Sequence, residues 1–403
     1  MRVLALEYAL AGFAGGEEIV IEGHAMLRAL VGDLESGGYR VVVPVASRFA
    51  EHCGLRASEL AVVPEGVDPR EVLSERLEEV EGAVLIAPAF ESALYSLAKF
   101  VEERGVRLLG PTPRAVSVCS DKYATYLTLS RAGVRVPRAL QVARGYSLEE
   151  IAEIPGFPLV VKPVDGVGCT GLSLVLDSSE LDSAIERALR ESESGRALIQ
   201  EYVSGVHASA SLLSDGERVV PLALNAQRVK LGRPGEGSEY VGGITPLFHP
   251  LEEEALLEAA KAVRAVRGLR GYVGVDLVLE RVPFVVEINP RLTTSYVGLR
   301  LVSAANLGAE IVRAGLGLRL PERVEKRGCA IVEKIKAERA CTLEEGALEA
   351  LARIEGVAGY RPAPGPVEPG SDLALAAVWG RDLEEAESRL EEVRSEVHEI
   401  AGG

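Results

Sequence analysis

The chain has little of what marks a secreted, membrane-spanning or thiolate-metal protein. Its 403 residues include five cysteines, at positions 53, 119, 169, 329 and 341, with no Cys-x-x-Cys pair. An odd, scattered set fits neither a disulfide framework nor a zinc site and is expected of a reducing cytoplasm. No run of 18 apolar residues occurs, so no transmembrane helix is expected. The apolar opening of the chain is interrupted by Glu7 and followed by Glu17 and Glu18, so it reads as a first buried strand and not as a signal segment. Lysine is scarce, at eight of the 44 basic residues, and there are three Asn, three Gln and two Met. Such a balance fits a thermophile or a GC-rich genome, and composition does not separate the two. Positive charge is short as well: the net charge of −16 excludes a nucleic-acid partner, which needs a positive face. A small anionic substrate stays open, because a site can be locally basic or carry its own metal charge.

What is present is ordinary for a globular protein, with 47% hydrophobic and 26% charged residues. The length corresponds to two to four units at roughly 100–200 residues each. Strand-like and helix-like runs alternate over residues 1–115. They are strands at Val3–Leu6, Arg40–Val45, Gly82–Ala87 and Arg107–Leu109, and helices at Glu18–Ser36, Asp68–Val80 and Ser92–Arg104. Alternation of this kind predicts a parallel, doubly wound sheet whose ligands lie beyond the strand C-terminal ends, here Glu7-Tyr8 with the 12–16 loop, and residues 88–91. Gly110-Pro111-Thr112-Pro113 reads as a boundary, followed by a helix at Ser120–Ala132. Beyond it the pattern is α+β: a unit over 116–200 with a Gly-rich loop, a unit over 201–318, and a small α+β region over 319–403.

Four segments carry chemistry. Val160-Val161-Lys162-Pro163 precedes a loop holding Gly166, Gly168 and Gly171. A lysine at a strand end and backbone N–H groups freed by glycine suit a phosphate, although the loop closes neither a Walker A nor a dinucleotide motif and alone is more often an ordinary loop. Asp276 lies in one apolar strand, and Glu287 and Asn289 lie two apart on the next, hence on one face. Three oxygen donors with no His or Cys suit Mg²⁺, with Mn²⁺ as a substitute; the competing reading is a buried Glu287–Arg291 ion pair. Lys122 follows Ser120-Asp121, and Gln200-Glu201-Tyr202-Val203 is a strand end whose backbone could read an adenine edge.

Taken in this order, the Ser-Asp-Lys, Val-Val-Lys-Pro, Gln-Glu-Tyr-Val, Gly-Val-Asp and Glu-Ile-Asn-Pro-Arg segments (120–122, 160–163, 200–203, 274–276, 287–291) resemble the ATP-grasp superfamily over residues 1–310. The resemblance implies an ATP-grasp fold preceded by a parallel α/β domain. It implies ATP phosphates on Lys122 and Lys162 under the loop of Gly166, Gly168 and Gly171, adenine at Glu201, Tyr202 and Val203, Mg²⁺ on Asp276, Glu287 and Asn289, and Arg291 facing the transferred phosphoryl group. One departure is that Val206 and His207 stand where the family often has a ribose-binding Glu. A narrower likeness, carried by Leu6-Glu7-Tyr8-Ala9, Glu22-Gly23, Leu224-Asn225, Gly242-Gly243 and Asn289 through Thr294, is to the tyramine–glutamate ligases of methanofuran biosynthesis. The tail looks nearer to the purine-biosynthetic and biotin-carboxylase branch.

The implied activity is Mg-ATP-dependent joining of a small carboxylate to an amine through an acyl phosphate. Substrate contacts are expected from Glu7, Tyr8, Glu22, Glu91 and Tyr296, and a lid from the Gly-rich loop and Arg228–Gly243. The competing expectations are a carboxylase or formyl-type enzyme and a non-catalytic nucleotide-binding module. A cytoplasmic location, no membrane partner and a homodimer complete the expectations.

Overall fold

The computed structural model describes residues 1–13, 17–88, 92–147, 156–166 and 168–402. Glu91, and most of the two loops expected to edge the N-terminal crevice, lie outside the described residues.

The first region is built on β1 (Arg2–Glu7), β2 (Arg40–Ala46), β3 (Glu59–Val63), β4 (Gly82–Ile86) and β5 (Arg107–Leu108), in the order β3-β2-β1-β4-β5 and all parallel. The central strands are near-continuous Val, Leu and Ala because helices cover both faces. Those helices are α1 (Glu17–Ser36), α2 (Ser47–Ala50), α3 (Pro69–Leu77) and α4 (Ala93–Glu103). The order reverses between β1 and β4, which opens a crevice at the C-terminal end of β1, and Glu7 is its last residue. The expected doubly wound sheet is present. β3 was not expected: it is short, and its Val62 is 46% exposed, as suits an edge strand.

A helix starts within the Gly110–Pro113 segment. Thr112 caps α5 (Pro113–Ser120) by accepting from the Ala115 N–H, with proline at the first turn. Asp121 then breaks the helix with extended backbone and caps α6 (Lys122–Arg131), accepting from the Ala124 N–H at 2.8 Å. The helix expected at Ser120–Ala132 is α6, α5 before it was not expected, and the break between them places Lys122 at the N-terminus of α6.

A four-stranded antiparallel sheet follows, of β6 (Ala139–Ala143), β7 (Leu159–Pro163), β8 (Ser173–Val175) and β9 (Arg196–Glu201), in the order β6-β9-β7-β8. It is covered by α7 (Leu181–Glu191), which buries Leu181, Ala184, Ile185 and Ala188 on it.

The remaining strands are β10 (Val206–Ser214), β11 (Val219–Lys230), β12 (Glu239–Thr245), β13 (Gly271–Leu279), β14 (Pro283–Asn289), β15 (Cys329–Lys336), β16 (Cys341–Leu343), β17 (Val357–Tyr360), β18 (Gly365–Val367) and β19 (Asp372–Gly380). Eight of them make one sheet in the order β14-β13-β10-β11-β12-β15-β19-β17, while β16 and β18 pair separately. The helices here are α8 (Glu252–Ala265), α9 (Ser295–Val302), α10 (Leu307–Gly315), α11 (Glu345–Arg353) and α12 (Leu383–Gly402). The C-terminal region thus continues the central sheet: β15 pairs with β12 from Gly242↔Glu333 to Thr245↔Ala330. Gly242 is required there, because a Cβ would lie 2.2 Å from the Val332 carbonyl oxygen. One apolar cluster joins β1, β2 and α1 to α9, α10 and β15, so the N- and C-terminal thirds share a core.

Candidate active site

The eight-stranded sheet presents its acidic residues where β13 and β14 pair. Asp276 is directly opposite Glu287, and Gly274 is opposite Asn289. Asp276 accepts from Gln227 Nε2 at 2.9 Å and from Asn289 Nδ2 at 3.0 Å. Burial and the facing Glu287 charge push its carboxyl up to about 6. The two carboxylates are thus held face to face, and one of them is raised. The nearest cation is Lys122, whose Nζ is 3.5 Å from Glu287 Oε1 and also donates to the Gly166 carbonyl. Asp276, Glu287 and Asn289 are two carboxylates and an amide, and among the described residues no group of three or more His, Cys, Asp or Glu is placed to hold a metal ion. An all-oxygen set of that kind fits a hard cation that completes its shell from phosphates and water.

Lys162, at the end of β7, is 4% exposed. Burial pushes its ammonium down to about 8, against the pull of Glu287 and with the Lys122 charge working in the same direction as burial. The two lysines and the two carboxylates therefore occupy one cleft between the four-stranded and eight-stranded sheets. The Gly-rich loop roofs it. Gly171 has φ +70°, and a Cβ there would lie 2.7 Å from Pro163 Cγ, so only glycine lets the loop fold back on β7. Gly168 is also left-handed at φ +62°, and Gly166 sits against Pro163. Across the cleft, the β11–β12 hairpin docks on the small sheet: the Leu174 N–H donates to the Gly232 carbonyl at 2.8 Å, Ser238 Oγ donates to the Leu172 carbonyl at 3.1 Å, and Arg233 pairs with Glu180.

Arg291 leaves β14 into the same cleft. Burial depresses its guanidinium, while Glu22, Glu287, Asp276 and Glu7 hold its charge in place. Glu7 is 2% exposed, and burial raises its carboxyl to about 7 despite accepting from the Leu10 N–H at 2.8 Å. Gly23 makes this fit, because a Cβ on it would lie 2.5 Å from the Glu7 carboxyl carbon. Glu22, on α1, meets Lys334 Nζ at 2.5 Å.

Of the expected substrate contacts, Tyr296 is a packing residue instead. Tyr296 is fully buried on α9, and its hydroxyl donates to Asp33 Oδ2 at 2.6 Å, in an ion pair with Arg300. Tyr8 is 9% exposed and stacks on Phe13 at 5.0 Å. At the hinge, the Glu201 and Tyr202 N–H groups donate to the Arg138 and Pro158 carbonyls, and the Glu201 side chain pairs with Arg138. His207 lies in β10, paired with Val278 of β13, and burial lowers its imidazole. Asn225, Thr245, Ser209, Ser211 and Tyr272 form a buried hydrogen-bonded set beneath Thr293 and Ser295, which fixes the turn after Asn289.

Sequence reasoning missed three residues of this cleft. Gln227 orients Asp276. The Tyr240 hydroxyl accepts from Thr294 Oγ1 at 3.2 Å. Lys334 enters from β15. The last had a signal: lysine is scarce in this chain, so one within an apolar strand such as β15 stands out.

The profile of the ATP-grasp domain matches residues 119–295, and that of the pre ATP-grasp 3 domain matches 39–116. A tyramine–L-glutamate ligase of Methanocaldococcus fervens is 30% identical over 303 residues, 74% of this chain and 89% of the relative. Among solved structures, biotin carboxylase of Campylobacter jejuni superposes with a TM-score of 0.72 at 17% identity, over 100% of this chain and 95% of that one. An L-amino acid ligase of Bacillus licheniformis superposes with a TM-score of 0.70 at 20% identity, over 98% of each chain. These two show a shared fold, including the C-terminal region.

Proposed function

The chain is an enzyme of the ATP-grasp ligase family, and on that premise we propose that it is a Mg-ATP-dependent carboxylate–amine ligase acting through an acyl phosphate, with L-glutamate and tyramine as the first substrate pair to test. The relatives carry the substrate names. The observation that carries the chemistry is the convergence of Asp276, Glu287 and Asn289 with Lys122, Lys162 and Arg291 in one cleft.

Bound Mg²⁺ would screen the phosphate oxygens, and Asp276, Glu287 and Asn289 are the residues to hold it. The mutual push of the two carboxylates supports this, because a divalent cation relieves it. Lys122 and Lys162 would then turn from Glu287 and Asp276 towards the β- and γ-phosphates, under the Gly166–Gly171 roof. The Val203 amide is the hinge group left for the adenine edge, since those of Glu201 and Tyr202 already donate within the protein. Arg291 would neutralise charge as the substrate carboxylate oxygen bonds to the γ-phosphorus and ADP leaves. The amine nitrogen then attacks the acyl carbon, phosphate departs with the C–O electron pair, and the amine gives up a proton. No enzyme nucleophile is needed. The docked β11–β12 hairpin and the roof loop would keep water from the acyl phosphate.

The test is ADP and phosphate release with Mg-ATP over a matrix of carboxylates and amines, with amide product identified by mass. Glutamate with tyramine should raise ADP release well above ATP alone. No rise over background for any carboxylate–amine pair overturns the ligase reading.

A further inference from the structure

Lysine is rare in this chain, yet β15 places two at alternate positions, Lys334 and Lys336, within a row of alternating charge. Lys334 Nζ is 2.5 Å from Glu22 of α1 and 3.2 Å from Asp372 of β19. Lys336 Nζ is 3.2 Å from Asp372 and 2.6 Å from Glu239 of β12. The row is continuous with the catalytic cleft. Of the carboxylates acting on Arg291, Glu22 acts most strongly, and both Lys334 and Glu22 act on the buried Tyr240 hydroxyl. Lys334 also acts on Cys169 of the Gly-rich roof, so it faces that roof and not the far side of the sheet. Glu333, its neighbour, points the other way and is held by Arg228 and Arg394. The Lys334 and Glu22 side chains are 15% and 28% exposed, so the pair is enclosed without being sealed from solvent.

We infer that Lys334 and Glu22 together form a zwitterion subsite, in which Lys334 binds the free α-carboxylate and Glu22 the free ammonium of an amino-acid substrate whose other carboxylate is activated beside Arg291. Without substrate the two residues satisfy each other. An amino acid laid across them replaces one ion pair by two of the same kind, so the two side chains lose little further hydration, while the substrate's ammonium and carboxylate exchange water for them. The alternation Arg291, Glu22, Lys334 sets the order in which the substrate's charges must run: reacting carboxylate, ammonium, second carboxylate. Lys334 lies beyond residue 295, where the ATP-grasp profile ends, so the C-terminal region supplies specificity by contact. This rests on the ligase reading above, and its test reads binding as well as turnover so that the two fail separately.

The experiment is calorimetric titration of the full chain, with Mg²⁺ and a non-hydrolysable ATP analogue, by L-glutamate, glutarate (no ammonium) and 4-aminobutyrate (no α-carboxylate), with KM measured in parallel. For the wild type, glutamate should bind at least tenfold tighter than either analogue. Lys334→Met should cut the glutamate preference over 4-aminobutyrate at least tenfold, and Glu22→Gln should cut the preference over glutarate. Each should leave its complementary preference and the KM for ATP near wild-type values, and Lys334→Arg should restore much of the first loss. Equal effects of both variants on all three ligands, or unchanged preferences in either, overturn the subsite while leaving the ligase reading intact. Should a variant unfold, the wild-type preference decides: equal binding of the three ligands also overturns the subsite. Absence of turnover with intact discrimination in binding overturns the ligase reading alone.

Discussion

Replacing Lys162 by methionine should stabilise the ligand-free protein while disabling it. Lys162 is 4% exposed, and burial outweighs the pull of Glu287 strongly enough to lower its pKa from 10.5 to about 8. At about 1.4 kcal/mol per pH unit, holding that charge in the folded state costs on the order of 3 kcal/mol at neutral pH. The sign follows from linkage. Between about 8 and 10.5 the unfolded chain binds the proton and the folded one does not, so this group's cost is full below pH 8 and fades as pH rises through that window. Methionine keeps the stem and removes the charge. With an unfolding entropy of roughly 2 cal/mol/K per residue, ~3 kcal/mol corresponds to a rise in Tm of about 3–4 °C for a chain of this length. Mg-ATP should invert the ranking: at a hundredfold excess over Kd it stabilises the wild type by about 2.7 kcal/mol and the variant far less. Thermal unfolding at pH 7, with and without Mg-ATP, and steady-state ADP release check both halves; kcat/KM should fall at least ~100-fold. A variant whose Tm drops, or which gains as much from Mg-ATP as the wild type, refutes the reasoning that this buried charge is kept for phosphate.

Glu287→Gln should retain the fold and lose turnover, with Mg²⁺ no longer raising Tm in the presence of ATP; activity within about threefold of wild type would remove the metal assignment. Asp276 has its pKa raised to about 6, so the ligand-free protein gains stability from this group as pH falls from 6 towards 4, while kcat/KM at subsaturating Mg²⁺ falls across the same window; a profile flat from pH 7 to 5 speaks against Asp276 as a ligand. Tyr296→Phe leaves Asp33 without one buried donor and should cost about 1–3 kcal/mol in denaturant unfolding, without changing KM for any substrate. Gly171→Ala meets both a left-handed backbone and Pro163, and should raise KM for ATP with little loss of global Tm.

The parallel sheet was legible because its strands are apolar runs separated by amphipathic helices, a local signal. The proposed metal-site residues stood out because a charged residue within an apolar strand, such as Glu287 in Pro283–Ile288, is costly enough to need a reason. Tyr296 misled, because an aromatic next to a catalytic turn gives no sign of which way it points; its direction is set by Asp33, 263 residues away in the chain. The short helix α5 was missed because it starts at Pro113, inside a Gly-Pro-Thr-Pro run that reads as a turn, and the proline sits at its first turn, where no N–H is needed. Lys334 was missed for a topological reason: only the pairing of β15 with β12 brings it to the cleft, and register between strands 90 residues apart is not written locally.

That same pairing has a consequence for the chain as a physical object. β12 is covered on one side by β11 and on the other by β15. A chain cut near residue 320 would bare the β12 backbone N–H and C=O groups, along with Gly242 and Gly243, which offer no side chain to obstruct an incoming strand. Shortening this protein to its nucleotide-handling core would therefore turn a sealed seam into an adhesive one.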